Sequence, residues 1–421
     1  MTRAFDGGSE GRRDRTAYVG PILPPHNMQT VDAAGLEIGD DRPPRIMGVL
    51  NVSKESPYAP SVFDDPGEAA EHVDAALVGE GADIVDVGLE SANKRFEVLS
   101  AEQELDRLDT AVEAIESVSG DAVFSIETRY HEVADEALSR GFDMVNDICG
   151  FADPEMPTVC EDHDAAVVKM ASPPDLERPG AVEEVDDIYD ALARNGFTDK
   201  TVVDPAFGGW SEAKTLEDDR ETFRRLREFR GYGRPILVSI NRKNFLREVA
   251  GRETEAALPV SLAATSMAVE RGAHVVRTHD VAETRDAALV GREFARRRTR
   301  DADSDSSPDR LSVEELDVTT PREAERHLDR LGVDAPASVA EESVVRVFEL
   351  DGLSDGDVRT LAAAAGDAGA TLARGATAPA AAGHDVLLFG TPRALREAAT
   401  VAEGGSEALR SALNSVTRKV F

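Results

Sequence analysis

Between residues 45 and 297 the chain repeats one beat eight times. A short run rich in Val and Ile is followed by a longer charged segment with apolar residues at helical spacing. The runs occupy 45–52, 82–88, 122–128, 143–148, 165–170, 201–206, 235–240 and 273–280. Near-continuous apolar runs suit strands covered on both faces, and a parallel sheet with a helix behind each strand covers them. Eight such units in roughly 250 residues is the arithmetic of a (β/α)8 barrel, a TIM barrel in the α/β class. A doubly wound open sheet would carry a Gly-rich phosphate turn after its first strand, and none follows Asn51. Segments 66–81, 100–118 and 258–272 read as helices, the second opened by a Ser100–Gln103 capping box.

The rest of the chain divides by composition. Residues 1–20, rich in Gly, Arg and Asp, read as a disordered tail. The barrel domain then spans 21–297, with 21–44 a lead-in that plugs its base. A charged, Ser/Asp-rich linker follows at 298–312. Residues 313–421 read as a small C-terminal α/β accessory domain. Its strands lie in "SVVRVFELDG" and "HDVLLFG", its helices in "SDGDVRTLAAAAGDAG" and "PRALREAATVAEGG".

The formal charge is −34, and only seven of the 47 basic residues are lysine. Such an acidic, lysine-poor surface reads as adaptation to a salt-rich cytoplasm, where carboxylates stay hydrated and salt screens their repulsion. No basic stripe offers a nucleic-acid partner. Cys149 and Cys160 are too few and too far apart for a metal knuckle, and read as thiols in a reducing compartment. The first twenty residues carry no apolar signal core, and no apolar run is long enough to span a bilayer. The expectation is a soluble cytoplasmic protein with no membrane partner.

In a barrel of this kind reactive groups collect at the C-terminal strand ends. Those ends carry Asn51, then Asp86 with Glu90 and Ser91, Glu127, Asn146 with Asp147, and Asp204. Just past strand seven come Asn241, Arg242 and Lys243, and strand eight ends in Arg277, His279 and Asp280. Carboxylates and amides therefore crowd the middle strands. Basic groups come from strands seven and eight, the usual phosphate corner, and Asn51 adjoins strand eight around the barrel. The layout suits a flat hydrogen-bonding heterocycle held by Asp, Glu and Asn. At the rim, Lys243, Arg277 and His279, with Mg²⁺, would neutralise a departing diphosphate.

Taken singly, these groups have plainer readings. Asp204-Pro205 makes a strand-to-loop turn, Asn146-Asp147 an Asx turn, Arg242-Lys243 a solvated face, and His279 a structural histidine. Convergence on one barrel end favours a site. Glu55, Glu90, Asp86 and Asp280 divide evenly between the two readings. Trp210 either covers a barrel edge or stacks on a ligand, while His72, His131 and His163 read as structural or exposed and Cys149 as packing.

The segments "IMGVLNVS", "ADIVDVGLES", "SIETRYHEVADEAL", "MVNDICG", "VVDPAFG", "LVSINRKNFL" and "GAHVVRTHDV", in this order and spacing, resemble dihydropteroate synthase over about 45–295. The resemblance implies a pterin-binding TIM barrel that joins 6-hydroxymethyl-7,8-dihydropterin diphosphate to p-aminobenzoate, or a related arylamine, releasing diphosphate in folate synthesis. It implies that Glu127, Asn146, Asp204 and Lys243, with Asp86, bind the pterin. Asn51, Arg277 and His279 would hold the diphosphate and its Mg²⁺, with Asn51 as the metal ligand and Lys243, Arg277 and His279 as catalytic residues. In this family bond breaking precedes attack, so no covalent enzyme intermediate is needed, which suits the lack of a Ser–His or Cys–His pair at the strand ends. The family is usually dimeric; a homodimer stays open for this chain.

Three loops depart from the family pattern. Ser53-Lys54-Glu55-Ser56-Pro57 stands for Thr-Pro-Asp-Ser-Phe, and Ala92-Asn93-Lys94-Arg95 for Thr-Arg-Pro-Gly. Gly208-Gly209-Trp210-Ser211 replaces a Phe-Gly-Lys segment, and Glu127 replaces an aspartate. Two other readings share the barrel: a pterin-dependent methyltransferase serving a corrinoid protein, and a non-catalytic pterin-binding paralogue.

Overall fold

The structure, a computed structural model, describes residues 28–52, 61–90, 98–208, 211–298, 313–374 and 383–419. The tail at 1–20, the linker from 299, the departures at 53–57 and 92–95, Ser91 and Trp210 lie outside the described residues.

A hairpin comes first, β1 (Val31–Ala33) and β2 (Leu36–Ile38), turned at Ala34 and Gly35, both with positive φ. Eight parallel strands follow. They are β3 (Arg45–Asn51), β4 (Ile84–Gly88), β5 (Val123–Thr128) and β6 (Met144–Asp147). Next come β7 (Ala166–Met170), β8 (Thr201–Asp204), β9 (Leu237–Val238) and β10 (Val275–Thr278). Their order is β8-β7-β6-β5-β4-β3-β10-β9, and a bridge from Val203 to Ile236 joins β8 to β9. The expected (β/α)8 barrel is the observed one. Strand β9 is the shortest against expectation, because Pro235 has no N–H to donate at its start.

Helices cover the outside of the barrel: α1 (Pro66–His72), α2 (Ala101–Ser117), α3 (His131–Ser139), α4 (Met156–Asp162) and α5 (Val185–Ala193). The set continues with α6 (Leu216–Arg224), α7 (Asn244–Ala250), α8 (Leu258–Glu270) and α9 (Val281–Glu293). Helix α1 runs on into a π-helical segment at Val73–Val78, and α2 opens at the expected Ser100–Gln103 capping box. A 3-10 helix, Leu226–Tyr232, precedes β9. No described helix is long and apolar enough to cross a membrane.

Strand period two sorts the side chains. Outward residues such as Leu50, Val87, Ile126, Val145 and Val203 pack against the helices. Inward residues at the strand starts, among them Met47, Ile84, Val123, Met144, Val202 and Val275, close on Val31, Ala33 and Ile38 of the hairpin. The hairpin thus plugs the base, and the floor of the barrel is dry. One inward step further up, the same alternation places Asp86, Ser125, Asn146, Asp204 and Arg277.

Past the linker lie α10 (Pro321–Arg330), α11 (Pro336–Ala340), β11 (Arg346–Leu353), α12 (Asp355–Asp367) and β12 (Thr371–Arg374). Then come β13 (His384–Gly390), α13 (Pro392–Val401) and α14 (Glu407–Lys419). The antiparallel sheet β11-β13-β12 and its helices gather a second core around Leu350, Leu361, Leu388 and Leu395. Helix α10 sits on the barrel: the Arg326 guanidinium lies 4.0 Å from the Tyr189 ring centre and pairs with Asp186 and Glu228. Helices α10, α11 and α14 and strand β12 add to the elements read from sequence.

Candidate active site

Asp86 is the centre of the inward polar layer and is fully buried. Its Oδ1 accepts from Ser125 Oγ at 2.8 Å, and its Oδ2 from Asn146 Nδ2 at 3.0 Å and Arg277 Nε at 2.7 Å. Arg277 then donates through Nη2 to Glu127 Oε2 at 2.6 Å. Four of the residues singled out in the sequence are joined directly, although Asp86 and Arg277 stand 191 positions apart. Burial works against the Arg277 charge, but Glu127 and Asp86 outweigh it and hold the guanidinium protonated. Burial, reinforced by Asp86, pushes the Glu127 carboxyl above its usual range despite Arg277.

Asp204 and Lys243 form the next part of the wall. Burial pushes Asp204 up to about 6, against a 2.7 Å hydrogen bond from the Ala206 N–H and the charges of Lys243 and Arg277. Burial and Arg277 lower Lys243, with Asp219 and Asp204 opposing. The lysine lies across Gly208, where an ideal Cβ would meet Nζ at 2.8 Å. Gly208 also has φ +113°, so a side chain there meets both strain and a catalytic candidate. Burial and then Arg277 drive His279 down to about 3. At neutral pH it is therefore an uncharged imidazole rather than one of the cations of the corner.

Asn51 ends β3 with its Nδ2 donating to Ser61 Oγ at 2.8 Å. That bond orients the carboxamide and directs Oδ1 toward Gly88, whose ideal Cβ would lie 3.0 Å from it and 3.8 Å from Glu127 Oε1. A hard amide oxygen fits Mg²⁺, which takes few protein oxygens and completes its shell with water and phosphate.

Other candidates turn out to be internal struts. Asp147 accepts from the N–H groups of Cys149, Gly150 and Phe151 and folds the loop after β6. Arg242, at φ +53°, makes a two-pronged pair with Asp280 at 2.8 Å, and Asn241 donates to the same carboxylate. Glu90 accepts from Arg129 and from the Leu99 N–H, fixing the neck of the loop after β4. His131, Glu132 and Asp153 form a cluster of possible metal ligands among the described residues. Asp153 Oδ2 already accepts from the His131 N–H and faces its Nδ1 at 2.8 Å, so the group fixes the start of α3.

Sequence reasoning missed Ser125, Ser61 and Lys214. Lys214 has a buried side chain that donates to the Ala206 carbonyl at 2.7 Å and lies 3.4 Å from Asp219, which also accepts from the Gly208 N–H. One signal was available: Lys214 directly precedes the Thr215–Asp218 capping box, so it enters α6 from the loop after β8.

Residues 47–279 match the family described as pterin binding enzyme, more than half of the chain. A probable bifunctional folylpolyglutamate synthase/dihydropteroate synthase of Haloferax volcanii is 34% identical over 258 residues, 58% of this chain and 30% of the relative. The chain spans about a third of the length of such bifunctional relatives. A dihydropteroate synthase of Clostridium beijerinckii is 30% identical over 60% of this chain and 94% of the relative. Among solved structures, the dihydropteroate synthase of Thermus thermophilus in complex with 4-aminobenzoate is 30% identical, with a TM-score of 0.52. It covers 63% of this chain and 100% of its own. With a family match that runs from β3 to the residue after β10, and with relatives aligned over nearly their whole length, the chain belongs to the pterin-binding enzyme family.

Proposed function

We propose that the barrel is a dihydropteroate synthase: it condenses 6-hydroxymethyl-7,8-dihydropterin diphosphate with p-aminobenzoate or a related arylamine and releases diphosphate. The observation that carries this reading is the polar layer of Asp86, Asn146, Glu127, Asp204 and Arg277 above a dry floor, with Lys243 and His279 beside it. Asp204 and Asn146 offer an acceptor and an amide to the edge of the pterin ring. Asp86 takes no new partner in this scheme; it holds Asn146 and Arg277 in place.

The reaction breaks the bond between the methylene carbon and the diphosphate oxygen, the electron pair leaving with diphosphate. Arg277 and Lys243 oppose that developing negative charge at fixed positions, which costs no reorganisation during the step. Neutral His279 contributes a hydrogen bond. Glu127 faces the cation left on the pterin. The arylamine nitrogen then bonds to the methylene carbon and gives its proton to water. Asn51, oriented by Ser61, would hold Mg²⁺, which when bound supplies further charge neutralisation to diphosphate. Methyl transfer to a corrinoid would release no diphosphate for Lys243 and Arg277 to oppose.

The acidic surface and the haloarchaeal relatives support work in a salt-rich cytoplasm. We keep 21–297 as the catalytic domain and 313–421 as an accessory domain whose first helix rests on it. Exposed Met267, Leu289, Val290 and Phe294 on and beside α8 and α9 support a homodimer through those helices. The activity is tested by diphosphate release with Mg²⁺ and pterin diphosphate in molar KCl, with and without the arylamine. The dimer is tested by sedimentation, where a single monomeric species would reject it.

A further inference from the structure

The opposite end of the barrel holds a second polar feature. A cavity of about 40 Å³ lies where the base of the barrel, the segment after α9 and the approach to α10 meet. That is room for roughly three water-sized spheres. Its walls carry five arginines, Arg42, Arg230, Arg292, Arg296 and Arg298. Against them stand three carboxylates, Asp40, Glu270 and Asp317. His274 adds no charge: its Nδ1 accepts from the Ile236 N–H at 3.0 Å while Nε2 faces Asp40 at 2.9 Å, and burial lowers its pKa. Arg42 and Arg296 already pair with Glu37 and Glu315, and Glu270 and Asp317 with Arg227, so the guanidinium groups that crowd the cavity are those of Arg230, Arg292 and Arg298 around Asp40.

Its internal pairing is incomplete. Asp40 serves Arg230 through two bonds, of 3.0 and 2.7 Å, and also meets Arg298 at 3.4 Å. Arg292 uses the Asp40 carbonyl instead. Gly272, at φ +101°, leaves room for this crowd, since an ideal Cβ would lie 2.7 Å from Arg230 Nη1. Among the described residues, two buried donors, Arg230 Nε and Arg298 Nη1, still have no acceptor, and Asp317 Oδ1 has no donor. Buried polar atoms without partners call for a missing species. The missing species must accept from guanidinium groups and donate to one carboxylate oxygen.

We propose that this cavity binds one hydrogenphosphate ion, which fastens the end of α9 and the approach to α10 to the base of the barrel. Its oxygens match the arginine donors, and its P–O–H group meets Asp317. Sulfate and chloride lack that hydrogen at neutral pH.

The test is thermal unfolding of the full chain in constant molar KCl, with phosphate, sulfate or extra chloride added at matched ionic strength. Saturating phosphate raises Tm by on the order of 5 °C. The rise is absent in Arg298→Gln and in Arg292→Gln, and persists in Lys243→Gln, which alters only the anion corner at the other end. Phosphate titration calorimetry at fixed temperature on the same variants gives the same pattern without requiring them to match in stability. A rise that survives both arginine changes but disappears in Lys243→Gln would overturn the proposal by placing the ion at the strand ends. An equal rise with sulfate would overturn the choice of hydrogenphosphate, and an equal response to chloride would mean the cavity holds only water.

Discussion

Replacing Arg277 by Met keeps much of its bulk and removes its charge from between Asp86 and Glu127. In the intact protein the guanidinium is 18% exposed, Asp86 0% and Glu127 13%, so solvent and salt screen the trio little. Removing one member of a buried ion pair costs about 3–5 kcal/mol, because the remaining charge is left unpaired. In Arg277→Met the two carboxyls keep their burial and lose their counter-charge, and the Glu127 carboxyl, already raised by burial, rises further. A raised carboxyl contributes stability below its unfolded pKa and loses it as pH rises through the folded pKa. The loss relative to the parent protein is therefore larger at pH 8 than at pH 5.5. For a barrel of this size it corresponds to a Tm lower by roughly 10 °C at pH 8. Urea unfolding at both pH values in molar KCl measures it, and adding Glu127→Gln to Arg277→Met recovers part of the deficit. A loss below about 1 kcal/mol at pH 8, or an equal loss at the two pH values, would refute the picture of one arginine holding two buried carboxylates.

Three further predictions rest on single contacts. Asp204, raised to about 6, must ionise to accept from a pterin, so pterin affinity falls about tenfold per pH unit below 6 and levels off above it. Calorimetry at pH 5 and 7 measures that slope, which Asp204→Asn abolishes; an unchanged slope would remove Asp204 from the ring contacts. Gly208→Ala forces a side chain into φ +113° and against Lys243 Nζ. It should cost about 1–3 kcal/mol of stability and lower kcat/KM by roughly 10–100-fold, and full activity would show that Lys243 is not positioned there. Ser61→Ala frees the Asn51 carboxamide and should weaken Mg²⁺ binding about 10–100-fold in a metal titration with diphosphate present. An unaltered affinity would separate Asn51 from the metal.

Much of the architecture was legible because strand period two needs no long-range information. Once "AVFSIET" is a strand, Val123, Ser125 and Glu127 share a face, with the first in the dry floor and the others above it. Partners were not legible, since Arg277 on β10 reaches Asp86 on β4 past the intervening strand β3, an adjacency only the barrel creates. Charge states were hidden for the same reason. His279 reads as a cation in sequence, but burial and the neighbouring Arg277 make it neutral. Arg242 and Asp280, the second left even between a site and a plain role, neutralise each other. Lys214 escaped because only the fold brings it to Asp219. Helix α10 was missed although its start carries a local signal, the Thr320–Glu323 capping box with Pro321 behind it.

The most direct test of the central claim is diphosphate release by the purified protein with pterin diphosphate and Mg²⁺ in molar KCl. Release should require the arylamine, and Lys243→Ala and Arg277→Ala should abolish it. Tight pterin diphosphate binding with no release, whatever arylamine is supplied, would contradict it and leave the barrel a binding protein.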